Sequence, residues 1–127
     1  ETLLALAAAP GEVVAVGTTA LRTLESLYWH GVRLLRSPGT PPGAPMAVGQ
    51  WDPYIYEPSQ LPPVGEALGA IIGNLGGAPA LRGATELLIA PGYGIRLARA
   101  LITNFHQPRS TLLLLIAAFV GEDWRRI

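Results

Sequence analysis

The sequence contains no cysteine and no lysine. The first absence excludes disulfides and thiolate metal sites. With only His30 and His106 as imidazoles, no metal site is expected. Nine arginines balance nine acidic side chains, so the basic excess that marks many nucleic-acid binders is missing from the composition. Arginine without lysine still permits flat, two-pronged contacts with phosphate or carboxylate, and Arg96/Arg99 and Arg125/Arg126 are local pairs. No apolar run reaches the roughly twenty residues a membrane span needs. Leu3 to Ala9 is apolar, but it lacks a basic lead and is closed by Pro10-Gly11, unlike a signal peptide. A cytoplasmic protein is the expectation. No glycine-rich dinucleotide or Walker loop follows a strand, no nucleophile elbow precedes Ser110, and no paired carboxylates mark a glycosidase. Repeats and heptads are absent as well.

What is present is a chain of 127 residues, half apolar and 14% charged, which excludes disorder and bounds the chain to one domain or part of one. It starts at Glu1 and ends at Arg125-Arg126-Ile127, which reads as an excerpt of a longer protein. Thr2 to Ala9 is expected to be helical, stopped by Pro10-Gly11. Glu12 to Val16 follows as a short interior strand, and Gly17-Thr18-Thr19 turns into a second helix. Leu21, Leu24, Tyr28, Val32 and Leu35 recur there at helical spacing as its buried face, with Arg22, Glu25 and Trp29 on the flank and Gly31 as an early stop.

Ser37 to Pro63 holds eight of the twelve prolines and cannot be regular throughout. Within it, Met46 to Trp51 and Tyr54 to Tyr56 are expected as short strands around the Asp52-Pro53 turn. Trp51, Tyr54 and Tyr56 either stack on a base or, the preferred reading, cover the core. Gly65 to Leu75 is expected as a helix burying Leu68, Ile71, Ile72 and Leu75, and Thr85 to Ala90 as a strand. After the turn Pro91 to Gly94, Ile95 to Arg99 alternates as a half-exposed strand does. The order β, α, insert, α, β, β, α predicts an α/β domain with short interior strands and packed helices.

The chemistry concentrates between Ala100 and Gly121. Ala100 to Phe105 reads as an interior strand, His106-Gln107-Pro108 stops it, and Ser110 or Thr111 caps a helix running from Leu112 to Val120. That helix has no polar residue, so it is expected to be buried all round, with Gly121 as a left-handed end. Asn104, His106, Arg109, Ser110 and Thr111 would then share one rim of the core. His106 either moves a proton there or is a hydrogen-bonded structural residue. Gly17, Thr18 and Thr19 offer free N–H groups to a carboxylate or phosphate, although a threonine there can be an ordinary cap. Residue types alone reach a polar rim for an anionic or nucleotide-like ligand, not a reaction.

Three ordered blocks carry a resemblance: Val14 to Ser26 (VAVGTTALRTLES), Ile89 to Tyr93 (IAPGY), and Leu101 to Gly121 (LITNFHQPRSTLLLLIAAFVG). Together they resemble the S-adenosylmethionine:tRNA ribosyltransferase-isomerase family of queuosine biosynthesis. Gln50 to Tyr54 and Trp124 to Ile127 look like one branch of it, and the insert at about 37–64 looks branch-specific. The resemblance implies a partial α/β main domain over residues 1–127, the family's inserted β-barrel lying outside this chain.

It also implies that the intact enzyme transfers and isomerises the ribosyl group of S-adenosylmethionine onto 7-aminomethyl-7-deazaguanine at the tRNA wobble position. Epoxyqueuosine forms, and adenine and methionine leave. S-adenosylmethionine would be a substrate, with no cofactor; tRNA would be the partner, and the protein a monomer, inactive as this fragment alone. By resemblance, His106 would carry a proton or contact adenine, with Asn104 orienting it. Gly17, Thr18 and Thr19 would hold an anionic group. Arg22 and Arg109 would face tRNA or carboxylate, Tyr93 would stack or donate a hydrogen bond, and Ser110 and Thr111 would complete the substrate rim. The sequence departs from the family pattern at Ala20 (usually serine), Gly94 (usually an acid) and Arg99 (usually aspartate). The last two exchanges remove negative charge, and they favour a rival reading: a noncatalytic RNA- or nucleotide-binding module that keeps the fold.

Overall fold

A computed structural model describes residues 1–104, 109–121 and 123. Their elements follow in the order α1 (Thr2–Ala8), β1 (Val13–Val16), α2 (Thr18–Arg36), β2 (Met46–Val48), α3 (Val64–Asn74), β3 (Gly83–Thr85), β4 (Ala98–Ile102) and α4 (Leu112–Val120). β1 pairs with β4 and β2 with β3, both in parallel. Parallel neighbours require a crossover, and α3 supplies it for β2 and β3. Short parallel strands with packed helices make this an α/β fragment, as the element order implied.

Helix α2 is the spine. Leu21, Glu25, Tyr28, Trp29 and Val32 are all buried, at spacings that put them on one stripe. The stripe meets Leu68 and Ile71 of α3 and the irregular segment carrying Leu87, Ile89 and Leu97. Glu25 and Trp29, expected on the flank, are inside, and Leu35, expected inside, is 40% exposed. Gly31 does not stop the helix. It sits where α2 crosses α3, and a Cβ there would overlap the Ala67 carbonyl and stand 2.9 Å from its Cα. Glycine is present for a close backbone approach, which outweighs its poor helix propensity.

Several other expectations are corrected. Tyr54 to Tyr56 forms no strand; Asp52–Ile55 is a 3-10 turn, because the Asp52 carboxylate accepts the Gly49 N–H at 2.7 Å and bends the chain. That bend removes a long partner for 85–90, so β3 ends at Thr85, although Glu86 and Leu88 still donate to the carbonyls of Val48 and Gln50. Ile95 to Leu97 is not strand either: the N–H groups of Arg96, Leu97 and Ala98 all go to Glu25, and β4 starts with an irregular register beside Val13/Val14. Ile102 is 60% exposed where an interior strand was expected. Helix α4 has the expected bounds but is not buried all round. Leu115 and Ala117 are buried, whereas Leu114 and Val120 are about 40% exposed. In the insert, Tyr56 covers the core by stacking on Trp29 at 6.0 Å between centroids, while Trp51 stays largely exposed.

Candidate functional site

The parallel pairing of β1 and β4 brings the carboxyl ends of both strands to one edge, and ligands of open α/β sheets bind beyond such ends. The Gly17 N–H donates to the Ile102 carbonyl at 2.7 Å, tying the Gly-Thr-Thr turn to the strand that leads into Thr103 and Asn104. Gly17 has φ +91°, which turns the chain from β1 into α2 where a side chain would be strained. The first-turn N–H groups of α2 have no intrahelical acceptor, and among the described residues no side chain caps them. Thr18 is half-buried, and Thr19 and Asn104 are exposed. Gly17, Thr18, Thr19 and Asn104 therefore share one edge. His106 lies outside the described residues.

One helical turn beyond Thr18 on the same face of α2 stands Arg22. It lines a cleft of about 560 Å³ together with Gln50, Thr85, Glu86, Leu88 and Thr111. The Arg22 Nε is buried and has no hydrogen-bond partner among the described residues. A guanidinium nitrogen left unpaired out of water is costly, and the half-buried side chain is held there along the cleft wall. Thr111 occupies the N-cap position of α4 without capping it; the Leu112 N–H is taken instead by Ser110 Oγ at 3.2 Å. Thr111 thus faces the cleft, and Ser110 shapes the helix start. Arg109 is exposed and holds φ +67°, a left-handed conformation that non-glycine residues rarely adopt and that recurs at ligand sites.

Tyr93 is elsewhere. Its ring is buried, its hydroxyl donates to Glu25 Oε2 at 2.8 Å, and it accepts from Trp29 Nε1 at 2.7 Å. Burial, then the Glu25 carboxylate, pushes its phenol far above the ordinary tyrosine range. In addition to Tyr93, Glu25 accepts the backbone N–H groups of Arg96, Leu97 and Ala98 at 2.8 to 3.2 Å. Four donors converge on one buried carboxylate and hold the segment entering β4 against α2. Glu25 was expected on the flank of the helix, yet its spacing from Leu21 and Trp29 on the apolar stripe was a usable signal of burial. Gln50, Thr85 and Glu86 were missed as cleft residues because each comes from irregular chain or a strand end. Among the described residues, no three histidine, aspartate or glutamate side chains cluster as metal ligands do, and no helix is long and apolar enough to cross a membrane.

Short parallel strands with packed helices and a cleft lined by Arg22 define an α/β unit. Residues 1–126 match the family described as Queuosine biosynthesis protein, and the chain belongs to that family. It is 33% identical over 123 residues to the S-adenosylmethionine:tRNA ribosyltransferase-isomerase of Ralstonia nicotianae, covering 97% of this chain and 22% of that protein. The Methylobacterium radiotolerans protein of the same name is 36% identical over 126 residues, 99% of this chain and 23% of its own length. That of Halothermothrix orenii is 54% identical over 44 residues, 35% of this chain and 13% of that protein. The chain thus spans about a fifth of the length of the first two relatives. No solved structure matches it.

Proposed function

We propose that the protein bearing this chain is a tRNA-modifying transferase-isomerase. It moves the ribosyl group of S-adenosylmethionine onto 7-aminomethyl-7-deazaguanine at the tRNA wobble position, giving epoxyqueuosine and releasing adenine and methionine. The observation that carries this reading is the family match over nearly the whole chain. The cleft supports it, because Arg22 and Thr111 both line it and a guanidinium suits an anionic group of donor or tRNA.

Within that reading the residues divide the work. Gly17, Thr18 and Thr19 present N–H groups to the methionine carboxylate or a tRNA phosphate. Arg22 and Arg109 supply positive charge, Ser110 sets the start of α4, and Thr111 offers its hydroxyl to the substrate. His106 draws a proton from the carbon beside the sulfonium or contacts adenine, and Asn104 orients it. Tyr93 serves through Glu25, holding the chain that leads into β4. S-adenosylmethionine acts as a substrate rather than a cofactor.

The test is adenine release. Full-length protein is incubated with S-adenosylmethionine and tRNA carrying 7-aminomethyl-7-deazaguanine, and free adenine is measured with and without each substrate. Release that depends on both is expected; tRNA binding with no release would overturn the catalytic reading. That outcome would favour the rival, a noncatalytic RNA- or nucleotide-binding module, for which Gly94 and Arg99 speak by removing acids from positions where the family pattern has them.

A further inference from the structure

The sheet that leads into Gly17-Thr18-Thr19 stops at β1. The Gly17 N–H donates to the Ile102 carbonyl, and the register sets Val16 opposite Ile102 and Val14 opposite Ala100. Along a strand, the N–H and C=O of one residue point to the same side and those of the next residue to the other. The backbone groups of Val14 and Val16 therefore point away from β4. No described strand lies on that side, and none of these four groups has a hydrogen-bond partner among the described residues. The same register places Val14, Val16, Ala100 and Ile102 on one face of the sheet. Val13, Ala15 and Leu101 face the other way, toward the core. On the first face Val14 is 50% exposed, Val16 69% and Ile102 60%.

Parallel sheets are normally covered on both faces, because the crossovers that join their strands are helices laid over them. Here α2 packs against β1 and β4 on one face, and the other is bare aliphatic surface. Folded proteins blunt an exposed edge strand with charge or proline, and Val13-Val14-Ala15-Val16 has neither. Edge and face thus both call for a neighbour. A second copy paired through β1 would run antiparallel about a twofold axis, lengthening the sheet while leaving both apolar faces in water. A β-α unit of the same polypeptide meets both needs: its strand runs beside β1, and its crossover helix lies over Val14, Val16 and Ile102. The family has polypeptide to supply it, since this chain spans about a fifth of the length of the Ralstonia and Methylobacterium relatives.

We propose that β1 is an interior strand in the protein bearing this chain, paired along its free edge with a parallel strand from a part of the same polypeptide beyond these 127 residues. The carboxyl end of that strand stands beside Gly17-Thr18-Thr19, so the candidate site has a wall that this chain does not supply. The test is hydrogen exchange read amide by amide in the full-length protein. Val14 and Val16 should exchange within about tenfold of Ala15 and Gly17, whose N–H groups face β4. Exchange of Val14 and Val16 at the rate of an unstructured peptide, with Ala15 and Gly17 protected, would overturn the proposal. So would protection that disappears on dilution to the monomer, because a second copy would then hold the edge. Val16→Thr keeps the shape and the strand preference but adds a hydroxyl, which beneath a covering helix should lower the Tm of the full-length protein by about 3 °C or more. An unchanged Tm would leave Val16 in water and overturn the covered face. Neither readout involves turnover, so the result stands whether or not adenine is released.

Discussion

Tyr93 donates its hydroxyl hydrogen to Glu25 at 2.8 Å, and both side chains are sealed from water at 6% and 0% exposure. The same oxygen accepts from Trp29, so one atom ties α2 to the Pro-Gly-Tyr turn twice. Tyr93→Phe keeps the ring but strands the Trp29 N–H and removes one donor from Glu25. A loss of about 1–3 kcal/mol is expected, the cost of leaving a buried polar group unmade. Urea denaturation checks it, with the midpoint falling and the slope unchanged. The pH response has a definite sign. Because burial raises the folded phenol above its ordinary value of 10.0, the contribution is complete below that pH. It is lost at higher pH, where the unfolded chain releases a proton that the folded chain keeps. Tyr93→Phe should flatten this alkaline limb.

Gly31→Ala tests the helix crossing. An added methyl would meet the Ala67 backbone, which cannot turn aside as a flexible side chain would. Destabilisation beyond about 2 kcal/mol is expected, against the gain of about 1 kcal/mol that glycine-to-alanine gives in an open helix. Thermal melting of the two proteins decides the sign, and a higher midpoint for the variant would mean that α2 and α3 do not cross this closely.

Acid should destabilise the protein through His30. Burial, and secondarily the nearby Arg33, lowers the folded imidazole below its ordinary 6.5. The unfolded chain therefore binds the proton first. The stability due to the neutral ring is whole above pH 6.5 and declines as pH falls through the folded value. Stability curves at pH 7.5 and 5.5 should separate for the natural protein and approach one another in His30→Phe.

How far the sequence disclosed this arrangement depended on whether the signal was local. The bounds of α4, the start of α2 at Thr18 and the close of α1 before Pro10 were legible because periodicity, glycine and proline act within a few residues. The fate of Ile95 to Leu97 was not. Its alternation is that of a strand, but its N–H groups are claimed by a carboxylate more than 70 positions earlier. Glu25 shows the same limit from the other side: charge suggested the surface, whereas its place among Leu21, Tyr28 and Trp29 suggested burial, and position prevailed because four donors awaited it. At the site, Gly17 was readable as a turn residue, Asn104 was read into a strand that ends at Ile102, and the pairing of β1 with β4 supplied their nearness. The cleft between Arg22 and Thr111 also draws on Gln50 and Glu86, which no spacing rule links.

Gly94→Asp examines one departure that the resemblance implies. A Cβ at Gly94 would stand 3.5 Å from Arg96 Nη2, in ordinary contact, and Arg96 Nε is buried without a partner. An aspartate there can reach that guanidinium and also restricts the unfolded chain. A gain of up to about 1 kcal/mol is expected for an ion pair near the surface, shrinking in high salt. Melting in 0.05 and 0.5 M NaCl measures both the gain and its salt dependence.

Arg22→Ala separates binding from scaffolding. Because Arg22 is half-buried and its Nε has no partner among the described residues, its removal sets lost packing of the stem against relief of an unpaired nitrogen, and stability should change by no more than about 1 kcal/mol. If the guanidinium grips a carboxylate or phosphate in the cleft, the half-saturating concentration of S-adenosylmethionine or tRNA should rise at least tenfold in adenine release. The substrate that shows the rise is the one it holds. Arg22→Lys keeps the charge but not the flat fork, and it should recover only part of the loss if the contact is two-pronged. Recovery to the natural value would reduce the role of Arg22 to charge alone. Unchanged saturation by both substrates in Arg22→Ala would remove the cleft from the site and leave the Gly-Thr-Thr turn to bind the anion without it.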